Sequence, residues 1–157
     1  MNLGLIVAFI GAALAAGMAG IGSAIGVGLA GEALAGLTSE EPEKFGKGLV
    51  LQLLPGTQGI YGLLVAFMIV MKVGLLDPAL KDITVTQGFA LFAGGLPIAI
   101  AGLFSAIAQG KTAAAGILLL GKREEESGKA ITMAIMVETY AVLALLISML
   151  IVMLLKV

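Results

Sequence analysis

One carboxylate stands where a charge is costly. Glu138 is the only charged residue between Ala130 and Leu155. A charge in the middle of a membrane helix costs a few kcal/mol on insertion scales, so it needs partners, a proton or a cation. The plain reading is a neutral, hydrogen-bonded structural Glu. The functional reading is an ion carrier, and the surrounding residue types favour it. Leu54, Thr57, Gln58 and Tyr61 follow i, i+3, i+4, i+7 and so share one helix face. Thr57 brings a hydroxyl, Gln58 an amide oxygen and Tyr61 a phenol. Pro55 has no N–H, which leaves the Leu51 carbonyl without its helical donor and allows nearby carbonyls, such as that of Leu54, to turn toward a ligand. Gln109 adds a second amide. One carboxylate among several neutral oxygens, with no nitrogen or sulfur ligand, suits a hard cation. A single negative charge best neutralises a monovalent one, and bare proton carriage needs only the Glu.

Other chemistries lack their residues. There is no Cys and no His, which removes thiolate chemistry, the commonest metal ligand and the usual neutral-pH base. The net charge of −1 comes with no basic patch for nucleic acid. No phosphate loop or catalytic base is present, so the chain is not expected to be a catalyst itself.

The elements that must position these groups are membrane helices. Hydrophobic residues make up 60% of the 157 and charged residues only 12%, about half the share usual in soluble domains. Met1–Gly31, Gly48–Met71 and Ile83–Gly110 carry no charge. Each of these runs, like Ala130–Leu155, reaches the roughly 20 residues that span a bilayer core, and backbone satisfaction in lipid makes them helices. The spacing predicts an all-α membrane protein with helices over 3–37, 46–75, 84–121 and 128–156. Polar loops lie at 38–47, 77–84 and 121–129. Ala12–Ala16 resembles a signal-peptide cleavage region, but the run lacks a basic leader and continues to Gly31, so a retained first span is expected.

Basic residues set the orientation. Lys44, Lys47, Lys122, Arg123 and Lys129 lie in or beside the first and third loops, against Lys72, Lys81 and Lys156 on the other side. The positive-inside rule puts loops 38–47 and 121–129 in the cytoplasm and both termini outside the cell membrane.

The chain also repeats. A shift of 82 positions overlays Gly20 on Gly102, Ser23 on Ser105, Gly28 on Gly110, Lys47 on Lys129 and Thr57 on Thr139. Residues 1–76 and 83–157 are therefore read as two parallel-repeat helical hairpins, unlike the inverted repeats of many transporters. Glu138 overlays Gly56, so two hairpins share one carboxylate. Small residues recur at fourfold spacing in both halves: Ala12, Ala16, Gly20, Ala24, Gly28 and Gly102, Ala106, Gly110, Ala114. Such rows let helices approach closely in lipid. Either they pack one monomer, or the first and third helices form a crowded inner layer that closes into a ring of copies.

LQLLPGTQGIYG (51–62), LFSAIAQGKTAAAG (103–116) and MVETYA (136–141) closely resemble the membrane-rotor proteolipid, the K or c subunit, of bacterial V-type ATPases, and most of all its sodium-translocating members. The likeness covers nearly the whole chain. It implies a rotor ring of identical subunits in which Glu138 binds the ion. Thr57, Gln58 and Gln109 would add side-chain oxygens, Leu54 its main-chain carbonyl, and Tyr61 a hydrogen bond to Glu138. It also implies Na⁺ as the ion, a stator membrane subunit with half-channels and an Arg, and a central-stalk subunit at the cytoplasmic loops. The alternatives are a proton-carrying rotor subunit of a V/A-type ATP synthase, a small Glu-dependent cation antiporter, and a purely structural or pore-forming protein. An antiporter for cationic drugs needs aromatic surface, and the chain has no Trp and only Tyr61 and Tyr140 of its Tyr residues. Repeat register also makes a Glu32–Lys111 ion pair an expectation to check.

Overall fold

The computed structural model describes residues 2–157, all of whose regular structure is helical. Helices α1 (Leu3–Glu40), α4 (Val85–Lys122) and α5 (Ser127–Leu154) run unbroken. The second span is broken. It comprises α2 (Phe45–Leu53), a 3-10 turn at Leu54–Gly56 and α3 (Thr57–Lys72). The interruption falls at Pro55, where the missing N–H ends the α-helical ladder. Four stretches are long and apolar enough to cross a membrane, of 38, 31, 38 and 31 residues. At 1.5 Å per residue the longer two reach about 57 Å, beyond a hydrocarbon core of roughly 30 Å. Their ends therefore project from it.

Helix bounds differ from the sequence expectation mainly where capping chemistry decides them. α1 runs three residues past the expected stop at 37, and its last carbonyls are met by the Glu41 N–H, which bonds Leu37 O at 2.8 Å. The second span stops at Lys72 rather than 75, because Gly74 takes φ +77°, a left-handed turn that ends the helix. α4 opens on a capping box in which Thr84 and Gln87 bond reciprocally.

α1 and α4 pack against each other along their length, α3 lies on α1 and α5 on α4. The α1–α4 seam is backbone against backbone. A Cβ on Gly110 would fall 2.4 Å from the Gly26 Cα, and one on Gly88 would fall 2.2 Å from the Gly4 carbonyl oxygen. Only glycine allows this approach. The α4 row of Gly102, Ala106 and Gly110 lies in this seam, as buried positions. The α1 row is buried only at its Ala12 end. Ala24 and Gly28 are exposed, and a Cβ on Gly17, Gly20 or Gly28 would meet nothing within 4 Å. The seam instead uses Gly4, Gly11, Ala19, Gly22 and Gly26. From Gly20 to Gly28 the α1 row thus belongs to a second face of that helix, free within one chain.

The expected Glu32–Lys111 pair is absent. Both residues are exposed, and the ion pairs among the described residues join Lys44 to Glu41, Lys47 to Glu124 and Lys129 to Glu126. Two lysines tie the loop ends together: Lys44 Nζ donates to Gly121 O at 3.0 Å, and Lys47 Nζ meets Glu124 Oε1 at 2.6 Å.

Candidate ion site

The buried apolar side chains form two clusters. One gathers Leu5, Val65, Ile69, Leu91 and Ile98 near the terminal ends of the helices, and the other gathers Leu34, Leu51, Ile117 and Ala130 near the 38–47 and 121–129 connections. Along the helices, a polar layer separates them. Gln58 and Gln109 are fully buried there, while Glu138, Thr57 and Tyr61 are partly buried.

Glu138 is the hub of this layer. The Tyr61 hydroxyl donates to its Oε1 at 2.6 Å and the Thr57 hydroxyl reaches the same oxygen at 2.8 Å. Gln109 Nε2 donates to Oε2 at 3.4 Å. Behind it, Gln58 Nε2 donates to Gln109 Oε1 at 2.5 Å. The two amides form a relay that ends on the carboxylate, and Gln58 does not touch Glu138 directly. Three elements distant in sequence converge here: the broken second span, α4 and α5.

The Pro55 break shapes the site. With the 3-10 turn at Leu54–Gly56, the Leu54 carbonyl accepts the Thr57 N–H and lies 3.0 Å from the Thr57 hydroxyl. That hydroxyl has one proton and three oxygens in reach: Leu54 O, Glu138 Oε1, and Gln58 Oε1 at 3.4 Å. Its lone pairs are therefore available to a cation whenever the proton points elsewhere. Neighbouring oxygens about 3 to 3.5 Å apart are what a hard cation with ligands at roughly 2.4 Å requires. Met1–Gly31, Gly48–Met71 and Ile83–Gly110 carry no charge, so Glu138 is the single carboxylate of this layer and matches one positive charge rather than two.

All six sequence-predicted residues lie in this layer. Sequence reasoning missed Ser23 on α1, whose hydroxyl accepts the Gly59 N–H at 2.8 Å and anchors the start of α3. Its repeat mate explains why. Ser105 is also buried, but its hydroxyl has no partner among the described residues. The mate of Gly59 is Ala141, inside the unbroken α5, so no turned-out N–H faces Ser105. Recognising Pro55 as a true break, and Ser23 opposite it, was the signal available. A second missed contact lies beside Pro97 inside α4, where the Ile98 N–H donates to the buried Ser148 hydroxyl at 3.2 Å.

The family model for the C subunit of ATP synthase matches this chain twice, over residues 10–69 and 92–151. The chain belongs to this ATP synthase C-subunit family. The two matches are offset by 82 residues, the register in which the sequence overlays itself. Glu138 lies in the second matched segment, and Gly56 holds its place in the first. The chain is 52% identical over 151 residues to the K subunit of the V-type sodium ATPase of Enterococcus hirae, covering 96% of this chain and 93% of that protein. It is 42% identical over 146 residues to the K subunit of the A-type ATP synthase of Methanocaldococcus jannaschii, covering 93% of this chain and 61% of that protein. With the c' subunit of the V-type proton ATPase of Saccharomyces cerevisiae it shares 35% over 109 residues, 69% of this chain and 64% of the other. As a member of this family, the chain is a multi-pass membrane protein that assembles into a ring of hairpin repeats.

Proposed function

We propose that this chain is the ion-carrying rotor subunit of a V-type ATPase, and that it carries Na⁺ on Glu138. The observation that carries the reading is the Glu138 carboxylate held in mid-helix by Thr57 and Tyr61, with Leu54 O and two buried amides beside it. In the loaded form, Glu138, Thr57, Gln58, Gln109 and the Leu54 carbonyl supply oxygens, and Tyr61 holds the carboxylate in place. This requires the Gln109 amide to turn its oxygen, now accepting from Gln58, toward the ion. The name of the Enterococcus hirae relative, part of a sodium ATPase, supports the same choice of ion.

Transport follows from the cost of charge in lipid. Beside Glu138 on α5, Ile135, Thr139 and Val142 are exposed, so the carboxylate sits at the edge of a face that looks toward lipid or a neighbouring subunit. A bare carboxylate turning into lipid is strongly disfavoured, whereas one neutralised by a bound cation is not. Rotation is then permitted only for a loaded subunit. Loading and release occur at two half-channels of a stator membrane subunit, whose Arg displaces the ion. ATP hydrolysis belongs to other subunits, and a central-stalk subunit meets the loops 38–47 and 121–129 on the cytoplasmic side, with both termini outside. In the ring, α1 and α4 form the inner layer and α3 and α5 the outer.

Carbodiimide labelling of purified rings tests the reading. Glu138 should be labelled without Na⁺ and protected by Na⁺ at constant ionic strength. Labelling indifferent to Na⁺ but suppressed by rising pH would make the proton the cargo instead.

A further inference from the structure

A shallow groove of about 440 Å³ runs between the far ends of α3 and α5. It is lined by Phe67, Met68 and Met71 from α3, Val152 and Met153 from α5, and the lysines Lys72 and Lys81. The apolar part is open: Phe67, Met71 and Met153 are each about half exposed (51%, 50% and 59%). Its position along the membrane is fixed by the helix ends. Lys72 is the last residue of α3, and Met153 is the last but one of α5. The groove therefore opens where the spans leave the hydrocarbon layer, at the end of the molecule opposite the 38–47 and 121–129 connections.

Its two cations make no ion pair. Among the described residues neither Lys72 nor Lys81 pairs with a carboxylate. Lys72 Nζ donates once, to Met153 O at 3.0 Å, which leaves two of its N–H groups for another acceptor. Asp77 reaches the Gly74 turn beside Lys81 without an ion pair to it, and Asp82 accepts a hydrogen bond from Asn2 Nδ2 at 2.5 Å rather than from either lysine. Two unpaired ammonium groups above an apolar groove, at the level of lipid headgroups, match an amphiphile with an anionic head and hydrocarbon tails. Flexible Met side chains accommodate such tails.

We infer that this groove seats an anionic glycerophospholipid, its phosphate at Lys72 and Lys81 and an acyl chain along Phe67, Met71 and Met153. The site is distinct from the ion site at Glu138 and does not depend on which ion is carried. Because it lies between α3 and α5, away from the α1–α4 seam, it stays on the lipid-facing side of an assembled ring. A bound lipid there would neutralise the two lysines and cover the apolar floor.

The test uses intact rings in nanodiscs of equal parts phosphatidylglycerol and phosphatidylethanolamine, released into a mass spectrometer under native conditions. Wild-type rings should retain phosphatidylglycerol over phosphatidylethanolamine by at least about fivefold. The Lys72→Gln/Lys81→Gln rings should lose that preference. Lys72→Arg/Lys81→Arg rings, and Lys122→Gln/Arg123→Gln rings with the same charge lost at the other end, should keep it. Equal retention of the two lipids by wild-type rings would overturn the assignment, as would an unchanged preference after Lys72→Gln/Lys81→Gln. If that pair does not assemble, the single variants decide, since each should lower the preference.

Discussion

The Thr57 hydroxyl lies 2.8 Å from Glu138 Oε1 across 81 residues of sequence. The contact joins the break in the second span to the one charge between Ala130 and Leu155 in the fourth. Thr57 follows directly on the 3-10 turn at Leu54–Gly56, and that turn brings the Leu54 carbonyl to the same hydroxyl. A proline that disrupts one helix thus sets a hydroxyl against a carboxylate on another, with the Leu54 carbonyl beside that hydroxyl.

Thr57 should therefore matter for its oxygen rather than its shape. Thr57→Val keeps the branched side chain and removes the hydroxyl. We expect the Na⁺ concentration that half-protects Glu138 to rise roughly tenfold, the effect of one lost polar contact of about 1.4 kcal/mol. Thr57→Ser should restore most of it. Equal behaviour of the two variants would show that the hydroxyl does not contact the ion.

Glu138→Gln should abolish Na⁺ transport in vesicles while leaving a ring of normal size on native gels. The amide is nearly isosteric and neutral, so packing persists and insertion becomes easier. It has no charge to hold a cation in lipid. Sustained transport by Glu138→Gln would rule out the carrier role.

The helix seam makes a stability prediction. A side chain on Gly26 would meet the Ala106 carbonyl oxygen at 2.3 Å and the Pro55 ring at 2.8 Å. Neither can withdraw, because one is backbone and the other is fully buried. Gly26→Val should separate α1 from α4 and lower the yield of rings by more than about a hundredfold, a cost above the 1–3 kcal/mol of ordinary overpacking. Gly28→Ala, on the open face, should leave the single chain folded.

The free α1 row has a predicted partner. The 82-residue register turns the Gly110–Gly26 approach within a chain into Gly28 against Ala108 of the next copy. Ala108 is exposed in the single chain, as is Gly28. Gly28→Cys with Ala108→Cys should therefore cross-link neighbouring copies into ladders on denaturing gels, given the 4.4–6.8 Å Cα separation a disulfide needs. Absence of ladders, with rings intact, would place the copy-to-copy seam elsewhere.

Much of this was legible in the sequence. Charge-free runs gave the spans, because lipid admits few alternatives. The i, i+3, i+4, i+7 spacing put Thr57, Gln58 and Tyr61 on one face, and the lone charge marked Glu138. Direction and partnership were less legible. The oxygens of Gln58 and Gln109 read as parallel ligands, yet the structure links the amides in series, because Glu138 Oε1 is already taken by Thr57 and Tyr61 and leaves only Oε2 to an amide N–H. The two small-residue rows looked equivalent, but a repeat unit has two sides, and spacing alone does not say which side meets its own chain. The Glu32–Lys111 pairing failed for a similar reason: register fixes the level of two residues along the helices, not the face they share.

The proposed carrier role gives two hairpins one Na⁺ on one carboxylate, a stoichiometry that native mass spectrometry of intact rings, with and without Na⁺, reads. The expected result is a mass gain of one Na⁺ per chain, lost entirely in Glu138→Gln rings. Two ions per chain, or an unchanged gain after Glu138→Gln, would contradict it.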